Sequence, residues 1–489
     1  MMKLEKTAQK PTYEELELRV QALEAELAGI RRIIFGQKSE RFVPVPEEQL
    51  AFPGLPPVQP LLTVSKEQIK SYSRQKRTIK VTPHGRSPLP EHLVRVEEVI
   101  EPDVDISNCK KIGQEITETL EYKKAELYVR RIIRPKYAKE EDDDDSIVIA
   151  DMPSMPLPKC QAGASLLSHI LISKYVDHLP FYRIRKQFKR TADIDIPAST
   201  ISGWFTATSE LLEPLGNAMR LMITESSYVQ VDETPLKVQD PMVKGKCHNG
   251  YMWPYLDPVR GICVFDYRPS RGRAGPDEML KTFSGALQAD GYDAYHHFEH
   301  SQNITLLGCF AHARRYFEKA LDQDKERASW MLTSIQELYR IEKEARDAGM
   351  SHTERYRLRQ EKSVPVLADM KKWLDQNVAK VLPQSLIGKA IHYTLGMWKR
   401  LERYVTDGRF EIDNNLIENA IRPIALGRKN YLFSGSHDAA RHAALIYSLM
   451  ATAAYHEVDP SEYLEFVINN ISDHPWKHLS ELLPQNWKN

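Results

Sequence analysis

Apolar positions at Tyr13, Leu16, Val20, Leu23, Leu27, Ile30 and Ile34 alternate steps of three and four residues between Pro11 and Gly36. So narrow a stripe predicts a short dimerising coiled coil over residues 1–42; a helix lying on its own chain is the competing reading. Prolines crowd the run VPVPEEQLAFPGLPPVQP, and 43–76 reads as a linker. Residues 77–155 are rich in strand-like segments such as ETLEYKKAELYVRRIIRPKYAK and predict a small β-rich domain.

From 160 to 222 the period turns helical. Pro180 and Pro197 divide the segment into three short helices, the last capped by Ser199 or Thr200 and burying Ile201, Trp204, Phe205 and Leu211. That arrangement predicts a helix-turn-helix whose third helix is available to a DNA major groove, with a plain helical subdomain as the alternative. At 226 the period becomes two. SSYVQVDETPLKV, GYMWPYLDP and GICVFDYRPS predict antiparallel strands, the last two joined by a turn at Asp257–Gly261. A helix (AGPDEMLKTF), a strand (GALQADGYDAY) and a strand running into a helix (ITLLGCFAHARRYFEKAL) follow, so 226–323 predicts a mixed α/β layer. Residues 324–400 are charged and helical, 401–440 contain one more amphipathic helix, and 441–489 are again helical. In that amphipathic helix Leu416, Ile417, Ala420 and Ile421 make the apolar side, while Asn415, Glu418, Asn419 and Arg422 make the polar one.

Composition changes the picture little. The chain has 489 residues, enough for about three or four domains. Its 67 basic and 67 acidic residues cancel, so charge must be read locally. Cys109, Cys160, Cys247, Cys263 and Cys309 are scattered without a CxxC pair, which argues against a disulfide framework and a closed zinc site. No signal-peptide pattern and no long uncharged apolar run occur, so a cytoplasmic protein without a membrane span is expected. The acidic run EEDDDD at 140–145 reads as a wet loop. Arg130, Arg131, Arg134, Lys136 and Lys139 before it either touch DNA or decorate a sheet face. Arg183, Arg185, Lys186, Lys189 and Arg190 add phosphate-binding capacity to the helix-turn-helix, with Ser199 and Thr200 at its third helix.

Chemistry enters with carboxylates at strand ends. Asp232 closes YVQVD and Asp290 closes ALQAD, each the first acid after an apolar run. Two such aspartates on neighbouring strands repel unless a cation lies between them, and Mg²⁺ or Mn²⁺ favours oxygen ligands of this kind. Glu418 supplies a third acid from the helical face. Two metal ions ~4 Å apart, clamped by shared carboxylates, suit phosphoryl transfer. The bland reading is that such acids form turns and caps, Asp290–Gly291 being itself a turn signal. Glu233 is expected to point to the opposite sheet face from Asp232, and Asp293 to lie past the turn; both are set aside.

The blocks VQVDETPLKV, LQADGYDAY, CFAHARRYF and IDNNLIENAIRPIALGRKNYLFSGS resemble those of transposases of the insertion-sequence 66 family, the large "C" protein of such elements. The likeness also takes in KYVDHLPFYR, ARHAALIYSLMATAAYHEVDPSEYLEFV and ELLPQNW, and spans residues 30 to 487. It implies a ribonuclease-H-like catalytic core with an Asp-Asp-Glu triad at Asp232, Asp290 and Glu418, holding two Mg²⁺ or Mn²⁺ ions, and with 324–400 as a helical insertion before the glutamate helix. His312, Arg314 and Arg315 match a block near the core and are candidates for DNA or phosphate contact, as are Arg422, Arg428 and Lys429. The partners implied are double-stranded DNA at element ends and targets, further copies of the chain, and small accessory proteins of the element. One departure stands out: family members resemble zinc-binding proteins ahead of the helix-turn-helix, whereas here only Cys109, Cys160, His84 and His92 are at hand. That segment is expected to fold without zinc, and to touch DNA through Arg74, Lys76, Arg77 and Lys80. The activity implied is cleavage at the element's inverted repeats followed by strand transfer, in the nucleoid of a bacterial-type cell. A catalytically silent DNA-binding regulator and a nuclease without strand transfer are the rival readings.

Overall fold

The computed structural model describes residues 127–130, 132–133, 136–138, 147–149, 154–158, 160–239 and 245–487. The coiled coil, the linker, the zinc question and most of the β-rich segment therefore lie outside the described residues. Of that segment, β1 (Lys136–Ala138) pairs antiparallel with β2 (Ile147–Ile149).

Three helices follow: α1 (Ala164–Tyr175), α2 (Phe181–Ala192) and α3 (Ala198–Thr224). Pro180 and Pro197 stand at the N-caps of the second and third, where a fixed φ and a missing N–H do no harm. Ser199 and Thr200 were expected to cap α3. Helical geometry already begins at Ala198, so both lie inside its first turn and no side chain caps it. Nor is α3 short: it runs 27 residues. Leu167, Leu171 and Tyr175 of α1 and Phe205, Leu212, Leu215, Met219 and Ile223 of α3 are buried in the same core as the sheet that follows.

The sheet contains β3 (Tyr228–Val231), β4 (Thr234–Gln239), β5 (Cys247–Asp257), β6 (Ile262–Arg268), β7 (Gly285–Gln288) and β8 (Ile304–Leu307), with the short helix α4 (Ala274–Met279) between β6 and β7. β6 pairs with one edge of β5 and β3 and β4 with the other, all antiparallel; β7 lies parallel to β3, and β8 parallel to β7. β3 and β4 keep one register against β5, with Val231 opposite Tyr255 and Thr234 opposite Met252. They are a single strand interrupted at Asp232–Glu233. The cause lies across the ladder: Asp232 donates its N–H to the Pro254 carbonyl at 3.4 Å, but Pro254 has no N–H to return. The interruption thus falls on the first acid.

After β8 come α5 (Phe310–Ala320), α6 (Lys325–Asp347), α7 (His352–Leu358), α8 (Val364–Asn377) and α9 (Leu386–Glu402). Then come α10 (Asn415–Tyr431), α11 (His437–Tyr455) and α12 (Pro460–Asn470). Odd-numbered residues of β3, Val229 and Val231, face the core shared with α1, α3, α11 and α12. Tyr228 faces a second core, built with α5, α6, α8 and α9. The Ser448 and Thr452 hydroxyls of α11 accept the N–H groups of Phe265 and Cys263, closing the outer edge of β6. No helix among the described residues is long and apolar enough to cross a membrane.

Candidate active site

Gln230 on β3 pairs with Gln288 on β7, and the same offset carried two residues further sets Asp232 beside Asp290 at the C-terminal ends of adjacent parallel strands. Short, almost continuously buried runs build both strands, and the acids come where those runs stop. Asp232 Oδ1 accepts the Glu233 N–H at 2.8 Å, and Asp290 Oδ1 accepts the Tyr292 N–H at 2.9 Å, so each aspartate also braces its own turn.

Glu233 corrects an expectation. Its carboxylate does not turn away: ligand oxygens of Asp232, Glu233 and Asp290 all lie within 4.8 Å of one another. At the strand interruption the pleat no longer dictates facing, and two partners draw this longer side chain in. The Arg271 guanidinium binds it through Nε at 3.0 Å and through Nη2, and the Tyr295 hydroxyl donates to it at 3.2 Å. Asp293 lies past the turn, with an exposed side chain beside His296.

Glu418 approaches from α10. The segment before that helix is strapped from two sides. From the sheet, Gln230 Nε2 donates to the Asp413 carbonyl at 3.0 Å, and Gln288 Nε2 to the carbonyls of Gly308 and Glu411 at 2.9 and 2.8 Å. The Tyr228 hydroxyl accepts the Glu411 N–H at 3.0 Å and donates to Gln288. Asn414 donates its side-chain amide to the Val231 carbonyl at 3.2 Å. From the helical residues after α7, fully buried Arg359 donates to the carbonyls of Tyr404, Asp407 and Phe410, each at 2.7 Å. Arg355 makes a fork-to-fork pair with Glu411 at 2.8 and 2.9 Å, and Tyr339 donates to Asp413 at 2.6 Å. Both arginines converge on the buried carboxylate of Glu342.

So placed, Glu418 sits in the first turn of α10, where an acid is favoured by the helix dipole. Its two carboxylate oxygens both accept from Arg315 Nη2 at 3.0 Å, and Arg315 Nη1 lies 3.1 Å from His312 Nε2. It stands outside the group formed by Asp232, Glu233 and Asp290, yet near enough to act on Asp232. Burial foremost, then the charges of Glu233, Asp290 and Glu418, push the Asp232 carboxyl up to about 8. Burial also raises Glu233, against the opposing hydrogen bond from Arg271. An acid forced to hold its proton among other acids is one that a divalent cation would stabilise by replacing that proton. The donors here are carboxylate oxygens alone, which fit Mg²⁺ or Mn²⁺ rather than a softer metal.

The cations fall into three sets. On α2, Arg185 forms a two-point pair with Asp195 at 2.7 and 2.9 Å, Lys189 pairs with Asp193 at 2.7 Å, and Arg183 meets the Tyr182 hydroxyl at 3.1 Å. Lys186, Arg190 and Ser199 are exposed, and Thr200 is half-buried. On α5, Arg314 pairs with Glu318 at 2.8 Å, and Arg315 holds Glu418. On α10, Arg428 is bound to Thr234 Oγ1 at 2.9 Å and to the Pro235 carbonyl at 2.5 Å, while Arg422 and Lys429 are exposed.

Sequence reasoning passed over Gln230, Gln288 and Glu233. A signal for the glutamines existed: VQVD and LQAD each put one glutamine in an apolar run, two residues before the aspartate.

A family model described as Transposase IS66 family matches residues 159–442, and another, described as Transposase C of IS166 homeodomain, matches 22–97. Relatives run nearly the length of the chain. Uncharacterized protein y4qI of Sinorhizobium fredii (strain NBRC 101917 / NGR234) is 31% identical, over 96% of this chain and 89% of its own. Uncharacterized proteins y4hP and y4jD of the same organism are each 30% identical, over 96% and 97% of this chain and 89% and 96% of theirs.

Proposed function

The chain belongs to the IS66 family of transposases, and from that premise we propose that it binds the terminal inverted repeats of its element and performs metal-dependent DNA cleavage and strand transfer. The catalytic centre in this reading is the triad Asp232, Asp290 and Glu418 on a ribonuclease-H-like sheet. The observation that carries it is the placement of Asp232 and Asp290 side by side at the ends of adjacent parallel strands, with Glu418 brought near by a strapped helix.

Asp232, Asp290 and Glu418 would hold the Mg²⁺ or Mn²⁺ ions, with Asp232 as the ligand common to both. Such ions supply charge to the scissile phosphate and to the attacking and leaving oxygens. The chain's own residues do the rest. Asp232, whose carboxyl is pushed up to about 8, would have to hold such an ion as the carboxylate, without its proton. Glu418, bound here by Arg315, would hold an ion in place of that guanidinium, and Arg315 would then turn to the phosphate, whose oxygens its fork also matches. Water then breaks the phosphodiester at the element end and leaves a 3′-hydroxyl. In the same site that hydroxyl attacks a target phosphodiester and displaces a target 3′-oxygen, with no covalent enzyme intermediate. Two ends acted on together require at least two copies of the chain, and exposed cations on α2 and α10 are candidate DNA contacts.

The test is incubation of the full chain with Mg²⁺ and a labelled duplex carrying the element's end. Cleavage at the end and joined products are expected, and both should vanish in Asp232→Ala, Asp290→Ala and Glu418→Ala. An intact protein that binds the end and never cuts it refutes the reading. Cutting without joined products reduces it to a nuclease.

A further inference from the structure

The far end of the glutamate helix carries a feature that the cleavage chemistry does not use. Chain direction changes there at Leu432, which has φ 61° and ψ −42°. Phe433 donates its N–H to the Tyr431 carbonyl two residues back, at 2.6 Å. This is the rare γ-turn with positive φ, strained for any residue but glycine. The strain is held from both sides. Leu432 N–H still reaches the Arg428 carbonyl at 3.2 Å; beyond the turn Ser434 accepts from Gln239 and donates to the Lys237 carbonyl, both at 2.8 Å. Arg428 and the Tyr431–Tyr447 hydroxyl pair fix the last helical turn.

A glycine would relieve the turn, yet the chain places a leucine there and follows it with phenylalanine. Neither is buried: Leu432 is 64% exposed and Phe433 43%. Two apolar side chains are thus held out to solvent by a backbone under strain, where burial would ordinarily decide their place.

The helix that ends at them carries a charged stripe. Glu418, Arg422, Leu426 and Lys429 follow one another at steps of four, four and three residues, so they share one stripe of α10, opposite the buried Ile417, Ile424 and Gly427. Arg422 and Lys429 are exposed on it. Glu418 is the only acid in the helix, so the stripe runs from the candidate catalytic acid along two cations toward the helix end at which the apolar pair stands. Leu432 stands fourteen positions beyond Glu418, a span of about 21 Å at the helical rise, or about six base pairs of DNA.

We propose that Leu432 and Phe433 are an apolar wedge that enters the DNA about six base pairs from the scissile phosphate and takes up an unstacked base, while Arg422 and Lys429 hold the intervening backbone. The inference rests on the transposase reading, since it supposes that Glu418 marks the point of cleavage. Unstacking costs a few kcal/mol per base step, which the surface of a base against a ring offsets. A wedge of this kind fixes the register of the end on the enzyme without reading a base edge.

The experiment uses the full chain in Ca²⁺ and element-end duplexes with 2-aminopurine placed singly at successive positions. Wild type should raise the emission several-fold at a position about six nucleotides from the cleaved bond and little elsewhere. Phe433→Ala and Leu432→Gly should lose most of that rise while still binding the duplex, with an unchanged melting temperature for the first and an unchanged or higher one for the second, since glycine relaxes the turn. Flat emission at every position from a wild type that binds overturns the wedge, as does full emission from both variants. So does a Phe433→Ala protein whose only change, by sedimentation, is in self-association, which would give the pair to a second copy of the chain. Because Ca²⁺ serves here only to support binding, the two readings separate: unstacking without cleavage in Mg²⁺ removes the catalytic proposal, and cleavage without unstacking removes the wedge. A wild type that binds no end duplex removes both.

Discussion

Asp232→Asn should make the metal-free protein more stable, although it destroys the candidate centre. Asp232 titrates near 8 in the folded chain, against an ordinary value of 3.8. A carboxyl whose folded pKa is raised binds its proton more tightly in the fold than in the unfolded chain. The stability it contributes is therefore full below about pH 4 and is lost as pH rises toward 8. At pH 7 that loss is at most about 4 kcal/mol. Asparagine has no such charge to suppress, and its oxygen can keep the 2.8 Å bond from the Glu233 N–H. In EDTA the variant should melt several degrees above wild type at pH 7, and the gap should close as pH falls toward 4. Saturating Mg²⁺ should reverse the order. Wild type gains about 3 kcal/mol at a hundredfold excess over Kd, and the variant, short of its central ligand, gains far less. Urea melts across pH 5 to 8, with EDTA or Mg²⁺, measure both effects. An asparagine variant no more stable than wild type in EDTA, or one that gains as much from Mg²⁺, refutes the account of Asp232 as a strained, proton-holding metal ligand.

Three further outcomes follow from the straps around α10. Gln288→Leu leaves the Gly308 and Glu411 carbonyls without a donor and the Tyr228 O–H without its acceptor, and should cost about 3–5 kcal/mol in urea melts; a loss below about 1 kcal/mol would show that the glutamine pair is no clamp. Arg315→Ala frees Glu418 from its two bonds, so Mn²⁺ should bind several-fold more tightly by calorimetry while end cleavage falls; unchanged or weaker binding would refute the exchange. Burial pushes Glu342 up, but Arg359 and Arg355 hold it below the ordinary glutamate value, so its stabilisation is present above that value and fades on acidification through the folded pKa. Glu342→Gln should cost about 3–5 kcal/mol at pH 7, and a smaller loss at low pH is the check by urea titration.

Much of the sheet was legible because β4 alternates and the other strands are short apolar runs bounded by turn residues. SSYVQVDETPLKV, GYMWPYLDP and GICVFDYRPS each gave a strand where one stands, and the turn at Asp257–Gly261 lies between β5 and β6. The break at Asp232–Glu233 was not legible, since its cause is a proline on the opposing strand, and pairing is not written in either segment alone. The same gap misplaced Glu233, whose facing is set by Arg271 and Tyr295 rather than by the pleat. The bond from Arg315 to Glu418 joins residues 103 positions apart. The sequence shows 324–400 only as charged and helical, yet Glu342, Arg355 and Arg359 are buried together under the loop that leads to α10.

That burial bears on why 324–400 stands between the second aspartate and the glutamate. Asp232 and Asp290 need only the sheet, since parallel pairing of β3 with β7 sets them side by side. Glu418 has no such ladder. Its helix begins after a loop that the sheet holds by three polar side chains and the insertion by Arg355, Arg359 and Tyr339. Removing either set leaves buried carbonyls or charges without partners, at about 1–3 kcal/mol each and more for the charges. A shift of the insertion therefore moves the loop, and with it the third acid, while leaving the two aspartates where they are. On the catalytic reading, the insertion is thus a lever on metal binding as well as a spacer, and a Glu342→Gln protein that stays folded should bind Mn²⁺ more weakly without any change at Asp232 or Asp290.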